Sequence, residues 1–454
     1  MEALRCLEAR LIYNLGLYAP GEADDKLTDA QGRENMRVLI RPRNFINQTA
    51  LCSILVALVF LPSALMIFVG ASSFALGVLV TAAYVVLAYL AFEGGSISCF
   101  RLFNINAIVS VGVVLFFIII HFVLLSGVLS SYNNYDIARF LTGFLGLSLM
   151  LVASLCVARA SFEIDHNLFS RVIYIAFSLV VVNVIISAFR IDFFNTGNTK
   201  PSFLFSEPSH IAITASALVM YVAVMSSRIK CLLIVLFTLA WAIYIQNLTT
   251  IILGLMVAFV CIKLNIILIS LFSSFLFVLI YIFLEQIDGG GVSYFLDRLS
   301  FDPDSENLSA LVFMQGWDNA RLTLIKTMGL GAGYQQLGVF TEVGAYTNKV
   351  IDIVGHNPNR YDGGTTGSKV VSEFGFLGII AILVHLILVI RCVVRVRRRV
   401  MGAPQHANDT FASCAVICSS LELYVRGVGY FSPLIFMFWV GFFVIIMRRQ
   451  GVGG

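Results

Sequence analysis

The chain has 454 residues, of which 59% are hydrophobic and only 12% charged, and its mean hydropathy is +0.91. Soluble domains carry about a quarter charged residues, so this composition excludes a soluble globular protein and gives no footing for nucleic-acid binding. The formal charge of +4 decides nothing, because in a membrane protein the placement of Lys and Arg matters and their sum does not. The nine cysteines lack the paired spacing of metal sites and fall in predicted spans or on the inner side, so no disulfide is expected.

Residues 1–48 are polar and mixed, with seven basic residues and a helix-like stretch, LRCLEARLIYNLGLY. No short apolar run there ends in a small-residue cleavage site, so no signal peptide is expected. Beyond this segment the apolar runs suit spans of about twenty residues. They lie at 49–70, 72–92, 107–128, 139–158, 170–189, 209–227, 231–246, 248–262, 264–285, 369–390, 409–425 and 428–447. The pattern predicts an all-α polytopic membrane protein with about twelve transmembrane helices, nine of them within 49–285 and three within 369–454.

Positive charge sets the orientation. The run RCVVRVRRR at 391–399, opening the loop 391–408, is expected to be cytoplasmic. Alternating from there assigns twenty Lys and Arg to the cytoplasmic side and ten to the other. Six of those ten lie in or at the end of one long loop, where the rule does not operate. Both termini are therefore expected in the cytoplasm. The chain shows no internal repeat, no inverted symmetry of broken helices and no buried acidic pairs, which argues against a transporter.

The long loop, 286–368, is the one extended polar interval between spans, and its length implies a folded, functional cap on the outer side. Within it DSENLSALVFMQGWDNARLTLIKTM predicts a helix with Asp304 or Ser305 near its N-cap and a stop at Gly329. GLGAGYQQLG at 329–338 then reads either as a simple helix terminator or as a loop whose amides approach a phosphate, with Tyr334 stacking on a sugar. A second outer loop, 190–208, is longer than a turn, whereas the other outer connections are short. A site on this face must be built from these two loops and from Arg426 near the last span.

Four outer arginines, Arg190, Arg298, Arg321 and Arg426, suit a membrane-held diphosphate, since guanidinium stays charged and bonds bidentately. Each has a plainer alternative: Arg321 can pair with Asp318, and Arg298 with Asp297 or Asp302. In FSEPSH, Pro208 suits the first helical position of a span, with Ser206 or Glu207 as its cap. That geometry sets Glu207 and His210 at the outer interface, as a capped helix start or as a proton acceptor beside a substrate hydroxyl. His356, Asn357, Arg360 and Asp362 precede the tenth span, and Glu373 lies inside it, where an unpaired charge is costly. The pair Asp302 and Asp304 fits a turn and helix cap better than a cation site, so no metal is expected.

Taken together, Phe205-Ser206-Glu207-Pro208-Ser209-His210, Asn307-Leu308-Ser309, Trp317 to Arg321, Gly329-Leu330-Gly331-Ala332-Gly333-Tyr334, and His356-Asn357 followed by Ser372-Glu373-Phe374-Gly375-Phe376-Leu377-Gly378 resemble the O-antigen polymerase (Wzy-type) family and its relatives, the O-antigen ligases. The similarity spans roughly residues 185–380; the N-terminal third matches in hydropathy alone. The resemblance implies a bacterial inner-membrane glycosyltransferase of the lipid-dependent, all-helical transmembrane type (GT-C-like). Such an enzyme transfers a growing glycan from undecaprenyl diphosphate to an incoming lipid-linked repeat unit on the periplasmic side, without nucleotide sugar or metal cofactor. It also implies membrane lipids and a chain-length regulator as partners. Family members rely on arginines of the two larger periplasmic loops, which correspond here to Arg190, Arg298 and Arg321. An arginine-to-glycine spacing found in some members is absent, because Pro201 and Ala332 stand at those positions.

The chemistry this implies puts Glu207 or His356 as proton acceptor and Arg298, Arg190 and Arg321 as the diphosphate clamp, with Tyr334, His210, Asn357, Glu373 and Arg426 completing the substrate site. A ligase, with a lipid A-core acceptor, is the nearest alternative. A lipid-linked oligosaccharide flippase is the alternative from another class, and it should carry charges inside its spans and short outer loops.

Overall fold

A computed structural model describes residues 42–71, 73–92, 105–128, 135–194, 200–262, 307–339, 344–357 and 359–448. The chain divides into two units, 1–50 and 51–454, and the second holds the helix bundle and its cap. The regular secondary structure of its described part is all helical, apart from one isolated bridge between Ser202 and Phe205.

Eleven helices answer eleven of the twelve predicted spans: α1 Pro42–Phe68, α2 Ala75–Phe92, α3 Ile105–Val128, α4 Ile137–Glu163, α5 His166–Ala188, α6 Pro208–Met225, α7 Arg228–Tyr244, α8 Leu248–Cys261, α11 Thr366–Val400, α12 Ala407–Tyr424 and α13 Pro433–Arg448. The cap supplies α9 Leu308–Lys326 and α10 Ala345–Val354. The predicted span 264–285 lies outside the described residues. Six of the helices (α1, α3, α4, α5, α6 and α11) are long and apolar enough to cross a membrane. They make the protein a membrane-embedded, multi-pass chain.

Helix α6 is the hub. Of its apolar window 89% is buried, against 22% for α3 and 17% for α11. It packs against α5, α8 and α12, while α12 in turn packs on α11 and α13. A helix surrounded on all sides reads as apolar or small all round, and α6 (PSHIAITASALVMYVAVM) does so. Peripheral helices instead keep large apolar side chains exposed, as with Val113 and Phe116 on α3 and Ile380, Val384 and Ile387 on α11. Such an exposed apolar belt is what lipid contact requires.

Helix α12 differs from its prediction in character. It buries Asn408, Asp409, Thr410, Ser413, Ser419 and Glu422. Glu373, expected inside a span, is buried, and so are Asp409 and Glu422, which hydropathy had passed over. Each is tied to a partner, Asp409 by an ion pair with Arg448, Glu373 by Tyr430 and Glu422 by Ser432. Buried charge persists where it is paired and hydrogen-bonded.

Helix α11 breaks at Gly375, whose φ of 59° and ψ of −132° leave the helical region. A break frees backbone groups that must bond elsewhere. The glycine-rich loop supplies them: Ala332 N–H donates to Ser372 O at 2.9 Å, Gly333 N–H to Glu373 O at 2.8 Å, and Phe376 N–H to Gly329 O at 2.8 Å. The loop amides are thus engaged with α11, which corrects the phosphate-cradle alternative. Gly331 is required here, because a Cβ on it would lie 2.5 Å from both Glu373 O and Gly375 N.

The cap helix α9 begins later than the sequence implied. Its N-cap is Asn307, whose Oδ1 accepts from Ser309 N–H at 3.1 Å and Ala310 N–H at 3.4 Å; Asp302, Asp304 and Ser305 lie outside the described residues. Helix α9 packs on α11 and α10, with Leu311, Val312 and Val350 forming a small apolar cluster.

Candidate functional site

At the cap end of the bundle a cavity of about 470 Å³ is lined by five segments distant in sequence: the loop 200–209, the α7–α8 turn 245–249, the start of α9, Gly364, and the end of α12 with Arg426. The loop is held from below by Asn183 of α5. Its amide donates to Ser202 O at 3.3 Å and its Oδ1 accepts from Leu204 N–H at 3.2 Å. Phe205 is buried against Phe60, and Ser206 N–H donates to Ser63 Oγ at 3.1 Å. These bonds fix the chain just before Pro208, which starts α6.

Glu207 occupies the N-cap position of α6 without making a side-chain cap bond. Its carboxylate turns into the cavity, where Oε2 accepts from Ser209 Oγ at 2.8 Å and pairs with Arg426 Nη2 at 3.3 Å. The Nε of Arg426 is buried without a hydrogen-bond partner among the described residues, and a buried donor left unmade costs about 1–3 kcal/mol. Lys200 also lines the cavity, donating to Gln246 Oε1 at 3.3 Å. Asn247 closes the facing wall by capping α8, its Oδ1 accepting from Thr250 N–H at 2.9 Å. One carboxylate therefore shares a concave polar site with two cationic side chains, an arrangement suited to an anionic substrate that also presents a hydroxyl.

Arg426 is presented by a strap, residues 425–432, pinned from beneath at several points. Gly427 N–H donates to Gly364 O at 3.0 Å, and Thr366 Oγ1 donates to Gly429 O at 3.4 Å. Tyr430 OH donates to Glu373 Oε2 at 2.7 Å, and Ser432 Oγ donates to Glu422 Oε2 at 2.5 Å. Lys369, buried, donates to Tyr361 O at 2.8 Å, stands 4.9 Å above the Tyr430 ring and faces Asp362 at 4.0 Å.

Of the residues expected to form the site, Glu207 and Arg426 come together. His210 lies beneath them, 5% exposed, with Nδ1 2.7 Å from Ser206 Oγ and its ring edge-on to Phe74. It is buried, does not line the cavity and is not available at the interface as expected. Glu373 supports the strap and does not line the cavity. Arg190, in a left-handed conformation with φ 55°, donates to Tyr244 O at 2.9 Å and sits 4.8 Å above the Tyr244 ring, outside the cavity lining. Arg321 is exposed and pairs with Asp318 at 3.1 Å, the plainer alternative.

Tyr334 corrects the sugar-stacking expectation. It is 1% exposed, donates to Gly143 O at 3.1 Å and stacks on Tyr430 at 5.4 Å. Asn357 accepts from Gln315 Nε2 at 2.8 Å. His356 is exposed at the end of α10, with Nδ1 3.2 Å from Val354 O; neither lines the cavity. Arg298 lies outside the described residues. Among the described residues no three His, Cys, Asp or Glu side chains stand together as metal ligands.

Sequence reasoning missed Lys200, Asn247 and Glu422. Glu422 carried a usable signal, a carboxylate inside an apolar run, the same feature that singled out Glu373. Asn247 sits in the polar IQN between two short spans. Lys200 had no signal of its own. Comparisons with family models, curated proteins and solved structures found no match.

Proposed function

We propose that the protein is a polysaccharide polymerase of the O-antigen polymerase type. In this reading it has about twelve spans, a GT-C-like arrangement, and a periplasmic site at the inner membrane of a bacterium. The observation that carries the reading is the Glu207–Arg426 pair at 3.3 Å inside the polar cavity roofed by α9.

The reaction forms a bond from an acceptor sugar hydroxyl to the anomeric carbon of the growing glycan and breaks the bond from that carbon to undecaprenyl diphosphate. Positive charge develops on the sugar and negative charge on the departing diphosphate. In the resting site Arg426 neutralises Glu207. An arriving diphosphate competes for Arg426, with Lys200 at its other flank, and so releases the carboxylate to take the acceptor's proton. Glu207 then acts as base, and Arg426 with Lys200 holds the leaving group. Arg190 and Arg321, engaged with Tyr244 and Asp318, have no part in this step.

The test uses the purified full-length protein in vesicles with lipid-linked repeat units. Polymerase activity gives a ladder of longer lipid-linked glycans that Glu207→Gln abolishes. Absence of a ladder from the wild-type protein refutes the reading, and transfer to lipid A-core instead identifies a ligase.

A further inference from the structure

The opposite end of the bundle holds a second cavity, of about 520 Å³, lined by the α6–α7 turn, the start of α7, the end of α8, and the end of α11 with Arg399. Two thiols face it, Cys231 of α7 and Cys261 of α8, on helices that pack against each other.

Their meeting follows from the register of the α7/α8 hairpin. Gly254 lets α8 close on α7: a Cβ there would lie 2.7 Å from Leu239 Cδ2 and 3.6 Å from Thr238 Cγ2. Cys231 is seven residues before Thr238, and Cys261 seven after Gly254. Seven residues are about two turns and 10 Å of rise on each antiparallel helix, so both thiols fall on the same seam at the same level. Cys231 belongs to the buried stripe Cys231, Val235, Thr238, Ala242, and Cys261 to the stripe Leu253, Gly254, Val257, Cys261.

We propose that Cys231 and Cys261 form a dithiol that hydrogen peroxide oxidises to a disulfide across this seam. Both thiols reach the cavity, while Cys414 and Cys418, next to them, are fully buried and do not line it. Arg228, Arg399 and the first-turn amides of α7 gather positive charge at the cavity wall, which favours the attacking thiolate. The Cys231 sulfur attacks one peroxide oxygen, the O–O bond breaks, one water leaves, and Cys231 becomes a sulfenic acid. The Cys261 sulfur then attacks the Cys231 sulfur, the S–S bond forms, and the sulfenic oxygen leaves as a second water with the Cys261 proton. The two thiols lose two electrons and the peroxide gains them. The cross-link fixes the hairpin whose other end carries Gln246 and Asn247 into the cap-end cavity.

The experiment treats the purified full-length protein in vesicles with hydrogen peroxide, alkylates the remaining thiols after unfolding, and maps peptides by mass spectrometry. Two of the nine cysteines should become protected, joined as a Cys231–Cys261 peptide that dithiothreitol reverses. Cys261→Ser should stop the reaction at a Cys231 sulfenic acid that dimedone traps, and Cys392→Ser should leave the cross-link unchanged. Full alkylation of both thiols in peroxide-treated wild-type protein, or a bond from Cys261 to Cys414, overturns the proposal. The wild-type measurement is independent of the folding of any variant and of the proposed glycosyl transfer.

Discussion

Glu207 and Arg426 lie 219 residues apart in the chain and 3.3 Å apart at the cap end of the bundle. Both side chains are partly exposed, 48% and 28%, so their pairing adds only about 0–1 kcal/mol to stability. Under the proposed reading its weight is functional. Glu207→Gln and Arg426→Ala are each expected to lower glycan polymerisation by about 10²–10⁴-fold, the range of a lost general base, while immunoblots show normal amounts in the membrane. Polymerisation within a few fold of wild type by Glu207→Gln would remove the carboxylate from the reaction.

The strap beneath Arg426 gives a second prediction. Tyr430→Phe removes the 2.7 Å bond to a carboxylate that is fully buried, and is expected to cost about 1–3 kcal/mol. Glu373→Gln, which keeps an acceptor for the phenol, should cost less than Glu373→Ala. Denaturant titration in detergent micelles reads both; equal losses for the two Glu373 variants would argue against the bond.

Gly331 gives a third. Its φ of +85° and the 2.5 Å approach of a would-be Cβ to Glu373 O leave no room for a side chain. Gly331→Ala should lower stability by about 1–3 kcal/mol through strain at a left-handed position. Gly355→Ala is the contrast: the same left-handed conformation, φ +79°, but no atom within 4 Å, so its cost is that of conformation alone and should be smaller. Thermal unfolding distinguishes them.

The other end of the bundle carries a pH-dependent contact. His406 Nδ1 lies 2.6 Å from His166 Nε2. Burial, then His166 and Arg448, hold the His406 imidazole below its ordinary pKa. A base whose folded pKa is depressed resists protonation in the folded state. Its contribution is present above the unfolded value of about 6.5 and is lost as pH falls through the folded value. Thermal stability should therefore drop as pH falls from about 7.5 to about 5.5, and His406→Gln should flatten that slope. An unchanged slope in the variant would exclude this pair as its source.

Hydropathy located eleven helices, because a segment in lipid must satisfy its own backbone and so is legible locally. The largest differences are at the start of α1 and the end of α11, where the helix runs on into polar sequence that hydropathy does not count. Positive charge also divides between the two ends of the bundle. Arg228 and Arg399, assigned to one side, line one cavity, and Lys200, Glu207 and Arg426, assigned to the other, line the second. The FSEPSH motif is a proline-started helix with Glu207 at its N-cap, as its residues implied.

What local sequence did not contain was which polar groups meet. Arg190, Arg321 and Arg426 are equivalent as isolated outer arginines, and packing alone gave the first to Tyr244, the second to Asp318 and the third to Glu207. Tyr334 and the glycines before it look like a ligand loop until the break at Gly375 is seen, because the carbonyls freed on α11 are what their amides serve. The sequence by itself determined an all-helical membrane protein with a polar cap and a charged end, since those follow from each segment's own solvation. The tertiary structure decided which carboxylate faces which guanidinium and which thiols share a seam, since such contacts depend on register between helices distant in the chain.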